Sequence, residues 1–191
     1  MTEKTCSALT AFWSHTGNTK QVAETIHSTL DGCGIASTII EIDSKLEVNF
    51  FDYNLVFVAA PVYSNLPPPV VSKFLNRSRN KSGEVVAAAP EHPEHFAVPV
   101  CTYGGGHTGI REAVPALKYM GQFFEHIGIR VVDEWAVVGI FRGVDDDNYN
   151  SDGRIGDIRH RPDERDLEEV RGKVTGLLHR LKYKLPGLRR D

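Results

Sequence analysis

"FWSHTGNTK", residues 12–20, decides how this chain is read. Before it, residues 7–13 (SALTAFW) form a short apolar run; after it, Val22, Ile26 and Leu30 recur at four-residue spacing. A strand therefore ends and a helix begins inside the quoted stretch. Ser14, Thr16, Asn18 and Thr19 set four short polar side chains around Gly17, which lets the chain turn tightly. Successive backbone N–H groups at a helix start, helped by hydroxyls, hold a phosphate without a lysine. A helix N-cap needs one such residue, not four. No G-K-[ST] follows, which argues against a nucleoside triphosphate site with Mg²⁺.

Working outward, further apolar runs at 35–42, 55–60, 96–102 and 131–138 are short, mostly unalternating and rich in branched or aromatic residues. Strands buried on both faces of a parallel sheet have this composition. Val70, Val71, Phe74 and Leu75 form a helical face after a run of prolines. Leu117, Phe124 and Ile127 mark another, with Pro115 in its first turn or kinking it. Leu167, Val170, Val174, Leu177, Leu178 and Leu181 make a final amphipathic stripe. The alternation predicts an α/β protein: a five-stranded parallel sheet in a three-layer sandwich, expected as one domain over residues 1–191. Two long loops, about 77–95 and 139–162, fit no element, and loops of that length are often functional.

The 191 residues carry a net charge of −3. From Val170 to Asp191 there are seven Lys and Arg against one acid, a basic end that reads as a solvated helix terminus or a contact for an anionic partner. Cys6, Cys33 and Cys101 show no C-x-x-C spacing, so no metal or cluster is expected. No run is long and apolar enough to span a membrane, and no signal-peptide pattern opens the chain; the expected location is the cytoplasm.

With the loop at 12–20, the segments "NLVFVAAPVYSNLPPPVVSKFL" (54–75) and residues 98–109 give the chain the order of the flavodoxin family, and "RHRPDERDLEEV" resembles the lead-in to that family's last helix. The chain resembles this family over most of its length, nearer its members with a P-V-Y loop than its small acidic carriers. The resemblance implies strand order 2-1-3-4-5 and FMN as cofactor. By position, Ser14, Thr16, Gly17, Asn18 and Thr19 would hold the phosphate, with His15 beside them. Pro61, Val62, Tyr63, Ser64 and Asn65 would flank one side of the isoalloxazine. Thr102, Tyr103, Gly104, Gly105 and Gly106 would wall the other, the glycines admitting close backbone approach. Tyr63 and Tyr103 are candidates for packing on the ring.

Competing motifs are weaker. Gly104, Gly106 and Gly109 spell G-x-G-x-x-G, a dinucleotide fingerprint, with Asp133 near the distance of a ribose-binding acid. Yet Asp133 is followed by "EWAVV", inside an apolar run instead of at a strand end. Asn148, Asn150, Asp152 and Gly153 half-imitate a calcium loop that closes on Arg159 where a Glu is needed. His92 and His95 lack a third obvious metal ligand. No basic stripe interleaves with aromatics, so nucleic acid is not an expected partner. Two redox roles fit: an oxidoreductase passing electrons or hydride from NAD(P)H or a redox protein to a quinone-like or protein acceptor, or a one-electron carrier. "PVYSNLPPP" contains no glycine and the chain is not strongly acidic, which leans toward the enzyme. A homodimer fits either, and a phosphate-ligand binding module without redox chemistry is the third reading.

Overall fold

A computed structural model describes residues 5–81, 90–143 and 148–188. Four of the apolar runs form strands β1 (Ser7–Phe12), β2 (Ala36–Glu41), β3 (Leu55–Pro61) and β4 (Phe96–Tyr103). The fifth differs from expectation: it is divided into β5 (Arg130–Val131) and β6 (Trp135–Val138), both paired with β4. Asp133 and Glu134 cause the break. Asp133 accepts a bond from Arg180 at 2.7 Å, and Glu134 accepts one from Lys118 at 2.8 Å, so the two carboxylates leave the ladder for partners on different helices. The sheet is six-stranded and parallel, in the order β2-β1-β3-β4-β5.

β3 and β4 are buried almost throughout, which explains their unalternating apolar sequence. β2, at the edge, has only exposed and half-buried positions. Helices α1 (Asn18–Gly32) and α5 (Glu164–Leu181) cover one face: Val22, Ile26 and Leu30 pack with Val174, Leu177 and Leu181 over Ala8, Phe57 and Val98. Helices α2 (Pro69–Lys81) and α3 (Val114–His126) cover the other, where Val71, Phe74, Met120 and Phe124 meet Leu9, Val56 and Val58. Successive residues of β1, Ala8 and Leu9, thus serve opposite faces, as the two-residue period of a strand requires.

The helix ends follow their local chemistry. α1 starts after Gly17, whose φ of 98° suits glycine alone among common residues. α5 starts on a capping box: Asp163 accepts from the N–H groups of Arg165 and Asp166, and Asp166 accepts from that of Asp163. Pro115 stands in the first turn of α3 without kinking it, where its missing N–H costs nothing. α2 runs to Lys81, so Arg77–Lys81 are helical and not the start of a loop; most of the remainder of that expected loop, 82–89, lies outside the described residues. His92 packs against Phe51 and His95 bonds to the Tyr53 carbonyl at 2.7 Å, so both imidazoles serve the turn before β4.

Candidate cofactor site

The strand order reverses between β2-β1 and β3-β4, and ligands of open α/β sheets bind beyond the carboxyl ends of the strands at such a point. Three loops leave the sheet there. The first, Ser14–Thr19, joins β1 to α1. Ser14 Oγ accepts the Gly17 N–H at 3.1 Å, which keeps the hydroxyl proton free to donate. Thr19 Oγ1 lies 2.7 Å from Thr102 Oγ1 in a buried contact; one proton joins the two oxygens and the second remains for another acceptor. Asn18 Nδ2 donates to the Ile140 carbonyl at 2.9 Å. The exposed Thr16 hydroxyl has no partner among the described residues, and neither do the N–H groups of Thr16, Asn18 and Thr19. Open donors at the positive end of a fifteen-residue helix suit an anion, and nothing lies within 4 Å of a Cβ placed on Gly17.

The second loop follows β3. Tyr63 and Leu66 exchange N–H···O bonds of 2.8 and 3.0 Å around Ser64 and Asn65, whose φ values are 49° and 66°. Two positive φ values inside such a bridge mark a type I′ turn, usually built with glycine. Holding Ser64 there costs about 1–2 kcal/mol. The tightness projects Tyr63 outward with 41% of its surface exposed. Trp13 stands edge-on to Tyr63 at 5.8 Å and stacks with His15 at 6.1 Å and 7°, so an aromatic group joins the first loop to the second.

The third loop follows β4 and contains the glycines. Tyr103 is 9% exposed, its ring largely committed to the core, and burial pushes its phenol up despite the Arg161 guanidinium nearby. A Cβ on Gly104 would lie 3.1 Å from Phe141 Cβ, and one on Gly106 would lie 2.6 Å from Tyr149 Cζ. These glycines therefore admit the chain's own segment after β6. Glu112 Oε1 accepts the N–H groups of His107 and Thr108, both at 2.8 Å. A carboxylate already occupies the donors that a dinucleotide pyrophosphate would need, and Asp133 is bound to Arg180. The G-x-G-x-x-G is a platform for packing, not a nucleotide turn.

The segment after β6 is built, not slack. Its residues 144–147 are outside the described residues; around them Asn150, 3% exposed, both accepts the Phe141 N–H and donates to the Phe141 carbonyl at 2.9 Å. That use of the Asn150 amide removes it from any calcium loop. A short helix, α4 (Asn148–Ser151), carries Tyr149 onto Gly106, and the Arg154 N–H donates to the Gly106 carbonyl at 2.9 Å. Ile140 donates to the Arg161 carbonyl at 2.8 Å, and the Arg161 guanidinium forms a fork with the buried Asp166 carboxylate of α5.

Together these loops enclose a cleft of about 450 Å³, within the usual range for small-molecule sites. Residues 9–89 match the family model described as Flavodoxin domain, over the same strand–loop–helix unit that carries the open N–H groups. Over that stretch the chain is similar to a flavodoxin domain, and its fold is flavodoxin-like. Among solved structures, a flavodoxin from the domain Archaea superposes with a TM-score of 0.64 at 16% identity, covering 92% of this chain and 99% of that one. The Streptococcus pneumonia TIGR4 flavodoxin gives 0.65 at 16%, with the same coverage. The rubredoxin oxygen:oxidoreductase of Desulfovibrio gigas gives 0.62 at 13% identity, covering 95% of this chain and 38% of its own length. At such identities the likeness is one of fold. No curated protein matches the sequence.

In this flavodoxin fold, Ser14, His15, Thr16, Asn18, Thr19, Pro61, Val62, Tyr63, Ser64, Thr102, Tyr103 and Gly104 all line the cleft. Four other residues expected at the site do not. Gly17 and Asn65 shape the loops behind it, while Gly105 and Gly106 lie under Ile155 and Tyr149. The sequence reading missed the individual residues Gly139, Ile140, Phe141, Arg142 and Gly143, which complete the lining. The signal available was the unexplained length of the 139–162 loop directly after a strand.

Proposed function

We propose that this flavodoxin-like protein binds FMN in the cleft and works as a redox protein between a reduced donor and an acceptor. The observation carrying this reading is the set of open N–H groups and the Thr16 hydroxyl at the start of α1, adjoining a cleft flanked by Tyr63 and Phe141. Ser14, Thr16 and the N–H groups of Thr16, Asn18 and Thr19 hold the phosphate; Pro61–Ser64 and Thr102–Gly104 flank the ring. Bound there, the flavin supplies one- or two-electron transfer, and the protein orients it and shields it from water. Three unpaired cysteines, two of them buried, suit a reducing cytoplasm.

The donor is NAD(P)H or a redox protein, and the acceptor a small quinone-like molecule or a protein. The segment after β6 favours the enzyme: Phe141, Arg142 and Gly143 wall the cleft and give it a depth that a small substrate can use. The carrier reading has its own support in Leu66 and Ile110, 48% and 56% exposed on the loops after β3 and β4, where a protein partner would dock. Titrating the purified apoprotein with FMN, followed by quenching of flavin fluorescence, tests the central reading; absence of saturable binding overturns it. NADH or NADPH bleaching with sustained turnover on a quinone separates the enzyme from a carrier, which would turn over only with a protein acceptor.

A further inference from the structure

We propose that Arg142 is the counter-cation of the cofactor phosphate, so that this site selects phosphorylated flavin over riboflavin; the inference rests on the FMN reading above. Among the described residues lining the cleft, Arg142 is the one permanent cation, and none is a carboxylate. Arg142 is exposed and has no ion-pair or hydrogen-bond partner among the described residues.

The segment bearing it is fixed against the first loop. Asn18, in the first turn of α1, holds the Ile140 carbonyl, and a Cβ on Gly139 would stand 2.7 Å from Asn18 Nδ2. A side chain at 139 would push the Asn18 amide aside; glycine leaves this contact undisturbed, and it brings the chain at 139–143 to the helix end where the open N–H groups lie. Phe141 lies against Gly104, and Gly143 folds back over its ring, a Cβ there meeting Phe141 Cζ at 2.5 Å. The apolar member of the segment thus faces the third loop, and the adjacent arginine is left to the open cleft.

A phosphate monoester carries between one and two negative charges at neutral pH. The N–H groups at the helix end offer only partial positive charge and the hydroxyls none, whereas a guanidinium brings a full charge and a charge-assisted contact. The isoalloxazine and ribityl chain of oxidised flavin are uncharged, so a cation at this place acts on FMN and not on riboflavin.

The test compares wild type, Arg142→Gln and Arg142→Lys, each titrated with FMN and with riboflavin at low and high salt. The expected result is an FMN Kd raised about tenfold in R142Q at low salt, with riboflavin affinity unchanged. R142K should recover part of the loss, because it restores charge without the fork. The wild-type preference for FMN should shrink with salt, and that of R142Q should hardly move. The denaturation midpoint of the apoprotein should not change, since Arg142 holds no other group in place among the described residues. Equal losses for both flavins, or no loss for FMN, overturn the proposal while leaving FMN binding intact. A wild type that binds no FMN overturns the underlying reading and this inference with it.

Discussion

The loops after β1 and after β4 share one local grammar: a buried parallel strand, a turn with glycine at positive φ, then a helix. They end in opposite states. After β1, among the described residues, the N–H groups of Thr16, Asn18 and Thr19 have no partner and nothing lies within 4 Å of a Cβ placed on Gly17. After β4, Glu112 accepts two N–H groups and Tyr149 fills the space beside Gly106. A glycine-rich turn therefore states only that something approaches closely. What approaches is decided by side chains brought from elsewhere, in this case from a segment about forty residues further along the chain.

The most severe way to break the contrast is to release that segment. Arg161 ties it to α5 through Asp166, which is 6% exposed, and Asp166 also caps the helix. Removing one partner of a fully buried pair costs about 3–5 kcal/mol. Because 30% of Arg161 stays exposed, Asp166→Ala should cost about 2–3 kcal/mol, read as a lower urea midpoint. Flavin affinity should fall as well, since Ile140 hangs on the Arg161 carbonyl. Unchanged affinity would show that the segment is no part of the site.

A narrower intervention acts on the glycine. Gly106→Ala places a Cβ 2.6 Å from Tyr149 Cζ, so the ring must move. Overpacking of this kind costs about 1–3 kcal/mol, and the mobile end of a tyrosine puts the expectation near 1–2 kcal/mol. Tyr149→Ala, destabilising alone, should cost less in the G106A background. A double-mutant cycle in urea measures that coupling, and strict additivity would refute the packing role.

How much of this was legible follows from the range of each interaction. Strands β1 to β4 and helices α1, α3 and α5 announce themselves through apolar period and cap residues within a few positions, and so does the phosphate-type loop. The division of the last strand was hidden because it depends on Arg180 and Lys118, remote in sequence from Asp133 and Glu134. The Ser64–Asn65 turn was hidden because it lacks the glycine that usually betrays a type I′ geometry. The contribution of 139–143 was hidden for both reasons: Asn18 and Ile140 lie 122 residues apart, and no motif marks the pair.

Glu112 offers a milder perturbation of the second loop. Glu112→Ala removes the acceptor of the His107 and Thr108 N–H groups, on an exposed surface where water substitutes. The expected loss is about 1 kcal/mol, measured as a thermal shift. It also makes the second loop resemble the first by opening its donors. NADH affinity should nevertheless not increase, because Tyr149 still occupies the space beside Gly106. A gain of dinucleotide binding at this turn would show that Glu112 alone separates the two loops.

The smallest effect concerns Asp133, whose position suggested a ribose ligand for the second loop. Burial works against its ionisation, yet bonds from Arg180 and from the Glu134 N–H hold its carboxyl below the ordinary 3.8. A carboxyl depressed in the folded state stabilises the protein above its unfolded pKa, and that contribution disappears as pH falls through the folded value. Arg180 is 57% exposed and Asp133 33%, so solvent screens the pair and its worth at neutral pH is about 0.5 kcal/mol. Asp133→Asn should therefore melt slightly below wild type at pH 7, and the gap should close as pH drops below about 3.8. High salt should narrow it as well. If the gap instead persisted at low pH, the substitution would be acting through packing around Trp135. If it vanished at pH 7 while dinucleotide binding changed, the ribose role rejected here would have to be restored.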